Sequence, residues 1–302
     1  MTELEKIIRK KIDRLDSVPN KFSNTIGNSQ KKIFEELLVL LESLDRKEGL
    51  IVLSNSNFIK VDQIADRLTK AVFDTDYKGA LKNFVSEFST QAEITDQFFK
   101  ASFKDFEPSE LYKNVLKSSQ KKTLNLLSSE AVGKNFIEPV KEILSTSVTT
   151  GQSFTDAVKS LRVFIEGNEN IEGTLERYVK QVAKDAFSVS DRQYTQTITN
   201  DLEIEWYVYR GGLVSDSRPF CIMNNAHYFH KKEIEDFGNG IDVDGSKLTS
   251  DELKGRIKGT NSSTIFVYCG GYSCNHSWLP VSIEIVPADV IERNVKKGYY
   301  EA

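Results

Sequence analysis

The first 200 residues contain no cysteine, no histidine and no tryptophan. That excludes a thiol nucleophile, an imidazole base or a Cys/His metal site from two thirds of the chain. No apolar run approaches the roughly 18 residues that a membrane-spanning helix needs. The N-terminus, MTELEKIIRKKIDRLD, is charged throughout and has no apolar stretch of a secretory signal, so the product is expected to begin in a cytoplasm. A phosphate-binding P-loop is missing, and the GxG at 238–240 lacks the strand–turn–helix flanks of a dinucleotide site and reads as a turn. A basic excess is missing too: Lys+Arg 40 against Asp+Glu 44 leaves −4, which argues against nucleic acid as the dominant electrostatic ligand.

What is present is unevenly distributed. The 302 residues are 39% hydrophobic and 28% charged, enough apolar material for one large or two ordinary domains and too much for a disordered chain. Residues 1–200 carry 29 acids and 29 bases, whereas 201–302 carry 15 acids and 11 bases, so the whole net charge belongs to the last third. All three cysteines (Cys221, Cys269, Cys274), all three histidines (His227, His230, His276), both tryptophans and ten of 17 glycines also lie there. Any site chemistry is expected in that turn-rich segment.

The sequence predicts an α+β protein: a predominantly helical first two thirds and a small α+β C-terminal domain with a few-stranded sheet. Ile33, Leu37, Leu40, Leu41 and Leu44 recur at helical spacing in 29–48 before Gly49, and the run 37–41 is apolar on all sides, which predicts burial against several neighbours or against another protein. Further helical patterns cover 59–72, 78–100, 109–131 and 136–148, with breaks at Gly79, Pro108 and Gly133. Ser153 and Asp156 have the form of a capping box opening a helix that ends at Gly167, and another helix opens at Thr174 and runs toward Ile198. The stretch 16–30 is polar and turn-like, so residues 1–28 are expected to form an N-terminal arm or a frayed terminal helix, ahead of a helical domain at 29–172 and an α+β domain at 173–302.

After Asn200 the hydrophobic period becomes 2. Ile204, Trp206 and Val208 point to one side and Tyr207 and Tyr209 to the other, a strand with both faces in use. TIFVY (264–268) and VSIEIV (281–286) read as two more strands, 231–237 and 287–296 as short helices, and 238–247 as a surface excursion. Two segments, VSDSRPFCIMNNAHYFH (214–230) and CGGYSCNHSW (269–278), concentrate unusual residues. Cys221, Cys274 and His276 supply three corners of a tetrahedral Zn²⁺ site, completed by His230, His227, Cys269 or an acid. The candidate ligand set is Cys221, His230, Cys274 and His276, with zinc as the candidate ion; the competing reading is that these side chains pack and hydrogen-bond without metal. No catalytic residue is assigned, because no hydrolase signature surrounds any cysteine and no paired acids or histidines hold an open metal position. Asp216 and Arg218 are expected to join in a charge-assisted hydrogen bond before Pro219. A disulfide is disfavoured in a cytosol and less so in a particle released to the outside.

The order of these pieces is informative. A long helix ends in DAFSVSDRQYTQTITNDLEIEWYVYRGG; SDSRPFC, an excursion and GGYSCNHSWLPVS follow. This resembles the phage Mu F-like minor head protein family, the phage head-morphogenesis proteins. Asp216, Ser217, Arg218 and Cys221 match its first element, and Gly270, Gly271, Cys274, His276, Trp278 and Pro280 its second. Asn275 stands where the family usually has Arg, which weakens an anion-binding role there, and Cys269 has no counterpart and is not counted as a ligand. The resemblance covers about 173–287 and extends to 1–172 only in general helical character. It implies a low-copy structural protein of a tailed bacteriophage, acting in head assembly and DNA delivery near the portal vertex. The helical part would dock on portal or major capsid protein, and the C-terminal module would lie near packaged DNA without strong binding. The implied location is the virion, inside the head or at the portal vertex, after assembly in the host cytoplasm and with no membrane partner. Metal binding by the motif cysteines and histidine is likewise implied. About 15 residues follow Pro287, so no added enzyme is expected beyond the match. The rival expectation is a metal-dependent nuclease or hydrolase using the same Cys/His cluster.

Overall fold

The computed structural model describes residues 2–74, 77–104 and 106–301, apart from the side chain of Asp74. It is an α+β protein, predominantly helical, with one small antiparallel sheet near the C-terminus. Helix α1 (Glu3–Leu41) is followed by the two-stranded hairpin β1 (Arg46–Lys47) and β2 (Leu50–Ile51), then by α2 (Asn55–Asp74), α3 (Tyr77–Ser102), α4 (Glu110–Leu126) and α5 (Ser129–Val132). A π turn at Gly133–Ile137 leads into α6 (Glu138–Thr150), so Gly133 loosens the helical path rather than ending it. Helix α7 (Phe154–Glu166), a second hairpin of β3 (Gly167–Asn168) and β4 (Ile171–Glu172), and α8 (Thr174–Asp201) complete the helical portion. No helix among the described residues is long and apolar enough to cross a membrane.

The turn-like stretch expected over 16–30 does not occur. Helix α1 runs without interruption through Pro19, because Leu15, Phe22 and Ile26 recur on one face and are all buried. By compactness the chain divides into a first unit of Met1–Ser17, Glu87–Gln120 and Lys184–Ala302 and a second of Val18–Ser86 and Lys121–Ala183. These bounds differ from the sequential 1–28, 29–172 and 173–302 read from composition. The reason is that α1, α3, α4 and α8 each contribute residues to both units, so no boundary in sequence separates them.

The second unit is built on helical periodicity. Ile33, Leu37 and Leu41 of α1, Val61, Ile64 and Leu68 of α2, and Val140, Leu144 and Val148 of α6 are buried. Ser153 caps α7 by accepting from the Asp156 amide at 3.1 Å, as the sequence predicts.

In the first unit, β5 (Trp206–Arg210) is the central strand of a sheet ordered β6-β5-β7, with β6 at Tyr228–His230 and β7 at Ser277–Pro280. Tyr209 stands opposite Trp278, and Trp206 opposite His230. One face carries Tyr207, Tyr209, Phe229 and Trp278 into a cluster with the cysteines; the other carries Trp206, Val208 and Leu279 against Val286 and Val290. The remaining helices are α9 (Pro219–Asn224), α10 (Lys231–Gly238), α11 (Ser250–Leu253), α12 (Ile265–Tyr268) and α13 (Ala288–Lys296). Two expected strands are corrected. TIFVY forms α12, and VSIEIV contains a 3-10 turn at Ile283–Ile285, capped by Ser282. A short β-branched run fits a buried helical turn as well as a strand, and here SWLP takes the edge of β5.

Candidate metal centre

Arg192 organises the loop that follows α12. It is a fully buried cation on α8, donating from Nε to the carbonyl of His276 at 2.9 Å, from Nη1 to that of Val267 at 3.1 Å, and from Nη2 to that of Cys274. The loop is further held by Asp185, which accepts from the Ser273 amide at 2.7 Å, and by Asp16, which accepts from Asn275 Nδ2 at 3.2 Å. Arg218 reaches the carbonyl of Tyr272 at 2.6 Å. It thereby ties the 214–230 segment to the 269–278 segment, in place of the expected hydrogen bond to Asp216.

These clamps bring Cys221 of α9 together with Cys274 and His276, the one group of three potential metal ligands found among the described residues. The two sulfurs are 3.8 Å apart, and Cys274 Sγ is 3.8 Å from His276 Nδ1. Two thiolates bound at roughly 2.3 Å to a tetrahedral zinc stand about 3.8 Å apart, so the spacing has the size of such a site. The backbone leaves room for it: a Cβ on Gly270 would collide with Cys221 Sγ and lie 3.1 Å from Cys274 Sγ. Gly211 has a similar role, since a Cβ there would come within 2.6 Å of His276 Cα and 2.7 Å of the Asn275 carbonyl. His276 is buried, stacks on Tyr209 at 5.0 Å, and its Nε2 has no hydrogen-bond partner among the described residues.

The electrostatics favour one thiolate and one thiol. Cys274 is held well below the ordinary cysteine range by the hydrogen bond from Cys221, against its burial, with His276 and the charge of Arg192 adding to the effect. Cys221 is pushed up, first by its hydrogen bond to Cys274 and then by burial. Cys269 is apart from this pair in its chemistry: burial pushes it up to about 12, and its thiol donates to the carbonyl of Phe266 at 3.7 Å. The three residues could therefore hold a metal ion, which would take the place of the thiol proton.

His230 does not belong to this group. It is buried at the end of β6, where its ring stacks edge-on against Trp206 and its Nδ1 accepts from the Lys232 amide to cap α10. Burial lowers its pKa, against the pull of Glu205, whose carboxylate is 3.7 Å from Nε2. The sheet explains the separation: His230 pairs with Trp206, so it shares a face with that residue rather than with Tyr209. His227 is exposed. Arg192 and Tyr209 also belong to the site, and no motif in the sequence marks them. A sequence signal for Arg192 exists: Ser188, the adjacent pair Asp191 and Arg192, Thr195 and Thr199 form a polar stripe that returns every three to four residues, and all are buried.

On one side the group borders a cleft of about 530 Å³, lined also by Lys184, Asp216, Ser217, Arg218, Lys254 and Tyr272. Comparison of the chain with protein-family models, with curated proteins and with solved structures finds no match.

Proposed function

We propose that this chain is a structural minor head protein of a tailed bacteriophage, acting in head assembly near the portal vertex, and that zinc staples its C-terminal module. The observation that carries this reading is the meeting of two distant sequence elements. Cys221, from the Asp-Ser-Arg-x-x-Cys element, contacts Cys274 from the Gly-Gly-x-x-Cys-x-His element at 3.8 Å, and Arg218 bonds to the carbonyl of Tyr272. These are the residues on which the resemblance to head-morphogenesis proteins rests. Burial of all three ligands suits a structural ion better than a catalytic one, because a catalytic ion must keep a position open to substrate. Partner contact would use the helical part, where Val39, Leu53 and Ile59 are more than half exposed.

Co-expression with the portal and capsid proteins of the same phage tests the reading. The expected result is co-purification with the portal ring and one zinc per chain by elemental analysis; failure to bind either protein would overturn the assembly role. A hydrolase is the second reading, favoured by the cleft that borders the ligands. It requires metal-dependent cleavage of plasmid DNA that His276→Ala abolishes.

A further inference from the structure

Three protein ligands leave one corner of a tetrahedron unassigned, and it has two candidates on opposite accounts of the site. One is solvent from the cleft. The other is Tyr209, which does not line the cleft and is completely buried near the end of β5. Its hydroxyl makes hydrogen-bond contacts to two sulfurs, 3.5 Å to Cys221 Sγ and 3.7 Å to Cys274 Sγ.

Seen from Cys274 Sγ, the distances to Tyr209 Oη, Cys221 Sγ and His276 Nδ1 are 3.7, 3.8 and 3.8 Å. Around a tetrahedral zinc a sulfur stands about 3.8 Å from a second sulfur and roughly 3.5 Å from a nitrogen or an oxygen, so the sulfur–sulfur edge already has its bound length and the other two would shorten by about 0.2–0.3 Å. The edge from Tyr209 Oη to Cys221 Sγ is 3.5 Å, and an oxygen and a thiolate on one zinc are separated by about 3.5 Å when bound at ordinary lengths. Gly270 faces the same triangle, since its missing Cβ would lie 3.2 Å from Tyr209 Oη as well as against both sulfurs.

Charge points the same way. A zinc ion with two thiolates and a neutral imidazole is electrically neutral. Beside it lies Arg192, a buried guanidinium whose three hydrogen bonds all go to main-chain carbonyls, and whose nearby negative charges are those of Asp185 and Asp191. A phenolate in the fourth position makes the complex singly negative and adds to the negative charge that faces the buried cation. We propose that Tyr209 Oη is the fourth metal donor, so that zinc is bound by Tyr209, Cys221, Cys274 and His276 and closes the site to the cleft. Binding then releases the phenolic proton and the remaining thiol proton to solvent. This rests on the zinc reading above and adds that no open coordination position is left for a substrate.

The test uses the full-length chain loaded with zinc or cobalt(II). Zinc titration of the wild type should produce the ultraviolet difference band of one phenolate per metal, and the visible bands of the cobalt form should not respond to azide. Tyr209→Phe, which keeps the ring and removes the hydroxyl, should bind metal about 10-fold or more weaker, show no phenolate band, and give cobalt bands that shift when azide is added. Absence of the phenolate band in the wild type, with azide-sensitive cobalt bands, would overturn the assignment even if the variant fails to fold. So would one metal per chain bound with equal affinity and identical spectra in both proteins. A wild-type chain that takes up neither metal would remove the zinc reading itself, an outcome distinct from metal bound without Tyr209.

Discussion

In the second unit Leu37, Leu68, Leu144 and Leu161 are fully buried, and each belongs to a helix whose apolar side chains return every three or four residues. In the first unit the buried positions include Lys11, Asp191, Arg192 and Glu233, and every charged residue that is buried among the described residues lies there. Lys11 is paired with Asp191 and donates to Thr95 at 2.7 Å; Glu233 accepts from Arg293 at 2.8 Å and Lys297 at 2.9 Å. The first kind of interior tolerates changes of shape within limits of volume. The second depends on every polar partner being in place, since a buried charge that loses its partner keeps the whole cost of leaving water. The protein is therefore adaptable in the interior of its second unit and brittle in that of its first.

The largest break in the comparison should come from Lys11→Met, which leaves Asp191 charged and buried. It should cost about 3–5 kcal/mol, read by urea denaturation, and Lys11→Met with Asp191→Leu should recover most of the loss. If the single variant costs no more than an average surface change, the first unit is not governed by its ionic core. Gly270→Ala should be smaller in stability, about 1–3 kcal/mol from overpacking, but should also lower metal content, because its Cβ would enter the space between Cys221, Cys274 and Tyr209. Retention of full metal in that variant would argue against the cradle. Smallest is Ser153→Ala in the second unit, which removes the cap of α7 and should cost about 1 kcal/mol by thermal melting while leaving metal content unchanged.

The helical interior was legible for a physical reason. Period 3.6 is a local property, so Ile33, Leu37, Leu40, Leu41 and Leu44 marked a face without knowledge of what covers it; Ile33, Leu37, Leu41 and Leu44 are buried and Leu40 is half-buried, whereas Val39 of the all-apolar run 37–41 is exposed. The capping hydroxyl of Ser153 acts within one turn and was equally readable. The alternation in 204–209 likewise assigned Tyr207 and Tyr209 to one face of a strand and Trp206 and Val208 to the other. TIFVY was ambiguous because four apolar residues satisfy a strand or a single helical turn, and only the competition of SWLP for the edge of β5 resolves it.

Composition alone determined that any Cys/His metal site must sit in the last third, where Cys221, His230, Cys274 and His276 were candidate ligands. Residue types and spacing along a chain carry that much. Tertiary structure decided the rest: that His230 caps α10 on the other face of the sheet, that Arg192 clamps the ligand loop, and that Tyr209 points its hydroxyl at both sulfurs. Those facts depend on strand pairing and on loop contacts between residues up to about 84 positions apart, which no local periodicity encodes.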